Sequence, residues 1–135
     1  MLALDTYWQR ELPELHAGLL DGSSESGYIL ARMAYAVVLA PEAARAFKAL
    51  SAYRRAEVRD ALERHLRHEP TRVSKSRIKR LRGLSQPQYR LRVGEVRVFY
   101  DVTRQAVEVL AIVTKAEAAR WLAEHATPGA PGGTG

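Results

Sequence analysis

The chain has 135 residues, 47% of them hydrophobic and 27% charged, with a formal net charge of +6. That length gives one domain with a core of its own, and the composition excludes fibrous and wholly disordered classes. Cysteine is absent, which excludes disulfides and thiol chemistry and fits a cytoplasmic location.

No apolar run approaches the roughly 20 residues needed to span a bilayer, so no membrane partner is expected. The start, MLALDTYWQREL, lacks a basic segment leading into a hydrophobic one, and no signal peptide is expected. Charge is unevenly spread. Residues 1–33 carry Asp5, Glu11, Glu14, Asp21 and Glu25 against Arg10 and Arg32, a net of −3 that leaves +9 on the remainder. Between Arg64 and Arg104, twelve Lys and Arg face only Glu69, Glu95 and Asp101. A body this basic points to a polyanionic partner, with nucleic acid first.

In chain order, Leu4, Trp8, Leu12, Leu15 and Leu19 recur at helical spacing and predict an amphipathic helix over 3–20, interrupted near Pro13. The stretch from Asp21 to Gly27 (DGSSESG) is linker chemistry. Residues 1–33 therefore read as an acidic helical extension and linker, either packed on the domain as an extra helix or left with little structure. Tyr35 to Ala40 (YAVVLA) is a strand. Pro41 suits the first turn of a helix and Glu42 its positive end, with Ala43, Ala44, Phe47 and Leu50 as an apolar stripe. A second helix over 53–68 places Val58, Leu62 and Leu66 on one side, so the pair forms a helical hairpin on the apolar face of a sheet.

Glu69-Pro70 breaks that helix. The segment 71–82 is basic (Arg72, Lys75, Arg77, Lys79, Arg80, Arg82) and is anchored by Ile78 and Leu81. Charge runs are most often solvated, but beside a basic sheet face this one would extend it. Gly83 and Ser85-Gln86-Pro87 then turn the chain into its most ordered stretch, 89–113. Two alternations meet at Gly94-Glu95, a Gly-X hairpin of type II′ that sets Arg92 opposite Arg97 and Tyr89 opposite Tyr100. A four-residue turn at 103–106 sets Val102 opposite Val107, Tyr100 opposite Val109, Val98 opposite Ala111 and Val96 opposite Val113. One face is then apolar, from Tyr89, Leu91 and Val93 through Val98 to Ala111 and Val113. The other carries Arg90, Arg92, Arg97, Phe99, Leu110 and Ile112.

Like charges directly opposite on a sheet destabilise it by roughly 0.2–1 kcal/mol, and Arg92 and Arg97 tolerate this best with an anion between them. Guanidinium grips phosphate in a planar fork. The plainer reading is a solvated face whose arginines splay into water. Lys115 to His125 is a final helix with Ala116, Ala119, Trp121 and Leu122, and residues 126–135 are a disordered tail by composition. Gly83 and Gly94 are isolated turn glycines rather than a nucleotide loop. His65, His68 and Glu69 lack the further ligands a metal would need, no nucleophile elbow surrounds any serine, and no cofactor is expected.

Three runs carry a family resemblance: Arg80-Leu81-Arg82-Gly83-Leu84, Tyr89-Arg90-Leu91-Arg92-Val93-Gly94 and Val96-Arg97-Val98-Phe99-Tyr100-Asp101. With the YAVVLAPEA start and the VEVLAIVTKAEAARWL ending, residues 34–125 resemble the RelE/ParE toxins of bacterial type II toxin–antitoxin systems. The resemblance implies an α+β fold: a small antiparallel sheet of about four strands, a helical hairpin on one face, a C-terminal helix, and here an extra N-terminal helix. It implies a RelE-like mRNA interferase, an endoribonuclease that inhibits translation in the cytoplasm by cutting ribosome-bound mRNA. Arg90 and Arg92 fall where RelE carries two functional lysines, and Arg97 on a phosphate-stabilising arginine, which makes them the catalytic candidates. Lys79, Arg80, Arg82, Lys115 and Trp121 are the RNA-binding candidates.

Implied partners are mRNA on the ribosome, a cognate antitoxin seated on Phe99, Leu110 and Ile112, and DNA only through the antitoxin complex. Two positions depart from the pattern. Ala116 stands where RelE has an arginine, and Trp121 or Leu122 where it has a tyrosine that acts on the RNA. Arginine stays protonated and is a poor general base, so a ParE-like inhibitor of DNA gyrase and a non-catalytic RNA- or antitoxin-binding module remain alternatives.

Overall fold

The computed structural model describes residues 34–129 together with the backbone of a strand at Leu2–Ala3 (β1). The rest of the expected N-terminal helix, the linker and the tail from 130 lie outside the described residues. Ala3, expected to begin that helix, instead pairs antiparallel in β1 with Ala36–Leu39 (β2).

Local chemistry sets the helices. Pro41–Ala49 (α1) starts on Pro41 with Glu42 in its first turn and Lys48 in its last, in keeping with the helix dipole. Ser51 then caps Ala52–Ala61 (α2), its hydroxyl accepting from the Arg54 N–H at 3.2 Å. The helix does not run on unchanged to His68. Leu62–Leu66 is a single π turn, closed where the Arg67 N–H donates to the Leu62 carbonyl at 3.2 Å. This turn keeps Leu62 and Leu66 both fully buried.

The strands that follow are Ile78–Arg80 (β3), Leu84–Gln86 (β4), Tyr89–Val93 (β5), Val96–Val102 (β6) and Ala106–Thr114 (β7). Lys115–His125 (α3) and Thr127–Pro128 (β8) follow β7. The Gln86–Pro87 peptide is cis. The main sheet has the order β1-β2-β7-β6-β5-β3, and β4 with β8 makes a separate two-stranded pair. The fold is thus α+β, but its sheet is mixed rather than antiparallel, because β2 runs parallel to β7 with Val37 opposite Val107. A parallel pair needs a long crossover, and the helical hairpin with β3 to β6 supplies it. The tail, expected to be disordered from 126, is held as β8 by bonds to β4 and by the Gly129 N–H donating to the Gly83 carbonyl at 2.8 Å.

The β5–β6 hairpin has the expected register at all five pairs, from Tyr89–Tyr100 to Val93–Val96. Gly94 has φ +57° and no non-glycine among the described residues has positive φ, which is the type II′ pattern. The β6–β7 register is as expected from Val102–Val107 to Tyr100–Val109 and then shifts. Phe99 pairs with Ala111 and Val98 with Ile112, so Leu110 is the extra residue of a bulge. Beyond it every β7 side chain changes face. Ile112 belongs to the core and Ala111 and Val113 to the arginine face, the reverse of the expectation.

The core lies between the helical hairpin and one sheet face. Ala43, Ala44, Phe47, Val58, Leu62 and Leu66 meet Val37, Leu39, Leu91, Val98, Tyr100, Val107 and Val109. Each fully buried Val, Leu or Phe side chain contributes about 1.5–3 kcal/mol. Tyr100 adds a polar tie, its hydroxyl donating to the Pro70 carbonyl at 2.7 Å, and this fixes the chain where it leaves the helices. Burial, followed by Tyr89, raises the pKa of that phenol well above the usual range.

Candidate nucleic-acid interface

The opposite face of the sheet carries the cations. Residues directly opposite in a ladder share a face, as do alternate residues along a strand. Lys79 lies opposite Arg90, Arg90 opposite Phe99 and Arg92 opposite Arg97. The four basic side chains therefore lie on one side, across β3, β5 and β6. α3 crosses the β6–β7 half of this face through Trp121, whose ring stacks on Phe99 with centroids 5.2 Å apart and planes 7° from parallel. The β5–β3 half stays open, with Lys79 and Arg92 both exposed.

The arginines differ in environment. Arg97 is only 7% exposed, and its Nη1 donates to the Gly94 carbonyl at 2.7 Å and the Val96 carbonyl at 3.1 Å. It clamps the hairpin turn. Arg90 is half-buried, and its pKa is lowered first by burial and then by Arg97 and Arg92. Arg90 thus feels both of the other guanidiniums, and no carboxylate pairs with any of the three among the described residues. The Arg90 Nε and the Trp121 Nε1 are buried without a hydrogen-bond partner. Buried donors left unpaired are costly, and an anion at this edge of α3 would relieve the repulsion among the arginines.

Lys115 is exposed at the first position of α3, and its backbone N–H donates to the Glu95 carbonyl at 2.7 Å, which places it beside the β5–β6 turn. Arg82 is exposed in the turn after β3. Arg80 is not on the arginine face. It pairs with Tyr89, its guanidinium lies over that ring at 5.2 Å, and its Nη1 donates to the Gln88 carbonyl at 2.8 Å. Trp121 stacks on His125 as well as Phe99, with centroids 4.8 Å apart, so a nucleobase would have to displace one of these rings. The expected partner strip is not an open surface. Phe99 is 0% exposed under Trp121, Ile112 is in the core, and Leu110 is half-buried at the bulge.

Sequence reasoning missed Asp101, which accepts from the Gln86 Nε2 and the Gln88 N–H, both at 2.8 Å. The carboxylate anchors the entry to β5 instead of neutralising the arginines. A charged residue in an alternating strand gave no signal of this. Among the described residues no group of three metal-ligating side chains occurs, and no helix is long and apolar enough to cross a membrane. Chemically, the face can grip phosphate and stabilise charge that develops on it. Protonated arginines cannot act as general bases. Compared with models of known protein families, with curated proteins and with solved structures, the chain matches none of them.

Proposed function

We propose that this chain is the toxin of a type II toxin–antitoxin system, a RelE-like mRNA interferase that inhibits translation by cleaving ribosome-bound mRNA. The reading rests on the convergence of Arg90, Arg92 and Arg97 on one sheet face without a paired carboxylate. In this mechanism the RNA's own 2′-hydroxyl gives its proton to solvent as its oxygen bonds the adjacent phosphorus. The bond from phosphorus to the 5′ oxygen breaks on the opposite side, and that oxygen takes a proton from solvent, leaving a 2′,3′-cyclic phosphate and a 5′-hydroxyl. Arg92 and Arg97 stabilise the two negative charges on the five-coordinate phosphorus, and Arg90 holds the neighbouring phosphate. Losing one preorganised donor of this kind costs about 10²–10³-fold in rate.

Cleavage of ribosome-bound mRNA by wild type and Arg92→Ala is the test. A fall of about 10²-fold in the variant is expected, and equal rates in the two proteins remove the proposed site. A ParE-like gyrase inhibitor is a second reading, favoured by one observation: all three central groups are arginines, which supply no proton acceptor. Induced expression distinguishes the two, since an interferase stops protein synthesis first and a gyrase inhibitor stops replication first.

A further inference from the structure

A second basic site lies at the β3 edge, away from α3. The π turn Leu62–Leu66 and the loop leading into β3 border a half-open surface cavity of about 350 Å³, lined by Arg64, His65, Glu69, Arg72, Ser74 and Arg77. Three guanidiniums and an imidazole thus face two carboxylates, Glu69 in the lining and Asp60 paired with Arg64. π turns inside helices are often found at functional positions because they re-aim a side chain at the cost of regular bonding. Here the turn holds Leu62 and Leu66 in the core while His65 lines the cavity.

Arg64 is held by Asp60 at 3.3 Å and Arg72 by Glu69 at 3.2 Å, both on exposed side chains, where such pairs yield readily to a stronger anion. Arg77 has no side-chain partner among the described residues, although its backbone N–H donates to the Ser74 Oγ at 3.0 Å. We infer that this cavity is a binding site for a phosphate group, with Arg77 as its principal ligand and Arg64 and His65 at its side.

Two further observations bear on the site. His65 has a pKa lowered from 6.5, first by burial and then by Arg77 and Arg64, with Asp60 opposing. Two guanidiniums against one carboxylate thus act on the imidazole, while Glu69 and Arg72, also in the lining, pair with each other. A bound phosphodiester, which keeps its charge throughout this range, offsets the field of those two guanidiniums and raises the pKa. By linkage, binding tightens as the pH falls through the range in which His65 gains its proton. Secondly, the Arg77 carbonyl accepts from the Arg92 N–H at 2.9 Å, so the cavity begins one strand, about 5 Å, from the arginine face. One polyanion can reach both.

The phosphate can come from free pyrophosphate or from a nucleic-acid backbone, and the test separates the sources. Isotope-labelled full-length protein is titrated with sodium pyrophosphate and, separately, with a short 2′-O-methyl oligouridylate, while the His65 imidazole and the arginine side chains are followed by NMR. Saturable shifts at His65 and Arg77 are expected, and Arg77→Gln should weaken them about ten-fold without unfolding the chain. Shifts with both probes make free phosphate a sufficient ligand; shifts with the oligonucleotide alone make nucleic acid the source. Shifts confined to Arg90, Arg92 and Arg97 overturn the cavity site and leave the RNA reading standing. Silence throughout overturns both.

Discussion

Arg92 and Arg97 face each other across one hairpin, and substitution should separate what each contributes. Arg97 is buried and bonded through Nη1 to two carbonyls of the turn. Arg97→Ala leaves those carbonyls without their donor and should lower stability by about 2 kcal/mol. Arg92 is exposed without a carboxylate partner. Its removal relieves a like-charge pair, so Arg92→Ala should stay within about 0.5 kcal/mol of wild type or gain slightly. Urea unfolding of the two variants checks this, and an equal loss in both would mean that Arg97 does not clamp the turn. Tyr100→Phe belongs at the same scale. It strips the buried Pro70 carbonyl of its donor and should cost about 1–2 kcal/mol, read as a lower urea midpoint with an unchanged slope.

Among the elements, α3 decides how much of the arginine face is open, and its position depends on its first turn. The Thr114 Oγ1 accepts from the Glu117 N–H at 3.2 Å and the Glu117 Oε1 accepts from the Thr114 N–H at 3.2 Å, a complete capping box. Thr114→Ala should cost about 1 kcal/mol and speed amide exchange in the first turn of α3. The Glu117 carboxyl is held below its ordinary 4.5, first by its bond to the Thr114 backbone. A lowered carboxyl pKa stabilises the fold fully above the ordinary value, and the effect fades as the pH falls through the lowered one. The stability gap between wild type and Glu117→Ala should accordingly narrow on acidification below pH 4.5. A gap that stays constant with pH would mean the charged box does not form.

The same elements show what could be read in advance. The β5–β6 pairing was legible because Gly94 marks the turn and the alternation on either side is clean. The bulge in β7 was not, because Leu110, Ala111, Ile112 and Val113 are apolar in either register, and no glycine or proline marks the extra residue. The three arginines could be placed on one face from alternation alone. Arg97's burial could not, since it depends on where α3 docks, and neither could the occupation of Phe99 by Trp121. The three-residue β4 and the two-residue β8 are too short to carry a periodic signal at all.

For the molecule as a whole, the distribution of charge matters more than its total. Between Arg64 and Arg104 twelve Lys and Arg face three carboxylates. Lys79, Arg90 and Arg92 on the open β5–β3 half of the sheet and Arg64, Arg72 and Arg77 in the cavity are among these cations, so a bound single strand should release counterions from both. For single-stranded nucleic acid, log affinity falls with log salt by about 0.7 per phosphate neutralised. The arginine face alone, engaging about three phosphates, predicts a slope near −2, and one more phosphate in the cavity steepens it to about −3. Arg77→Gln should then flatten the slope by about 0.7, and so should Arg92→Ala. If both sites hold the same strand, the double variant flattens it by about twice that. A cavity that binds a separate anion gives a different pattern. Arg77→Gln then leaves the RNA slope untouched while abolishing the pyrophosphate response, and a salt series of fluorescence-anisotropy titrations on four proteins decides between the two.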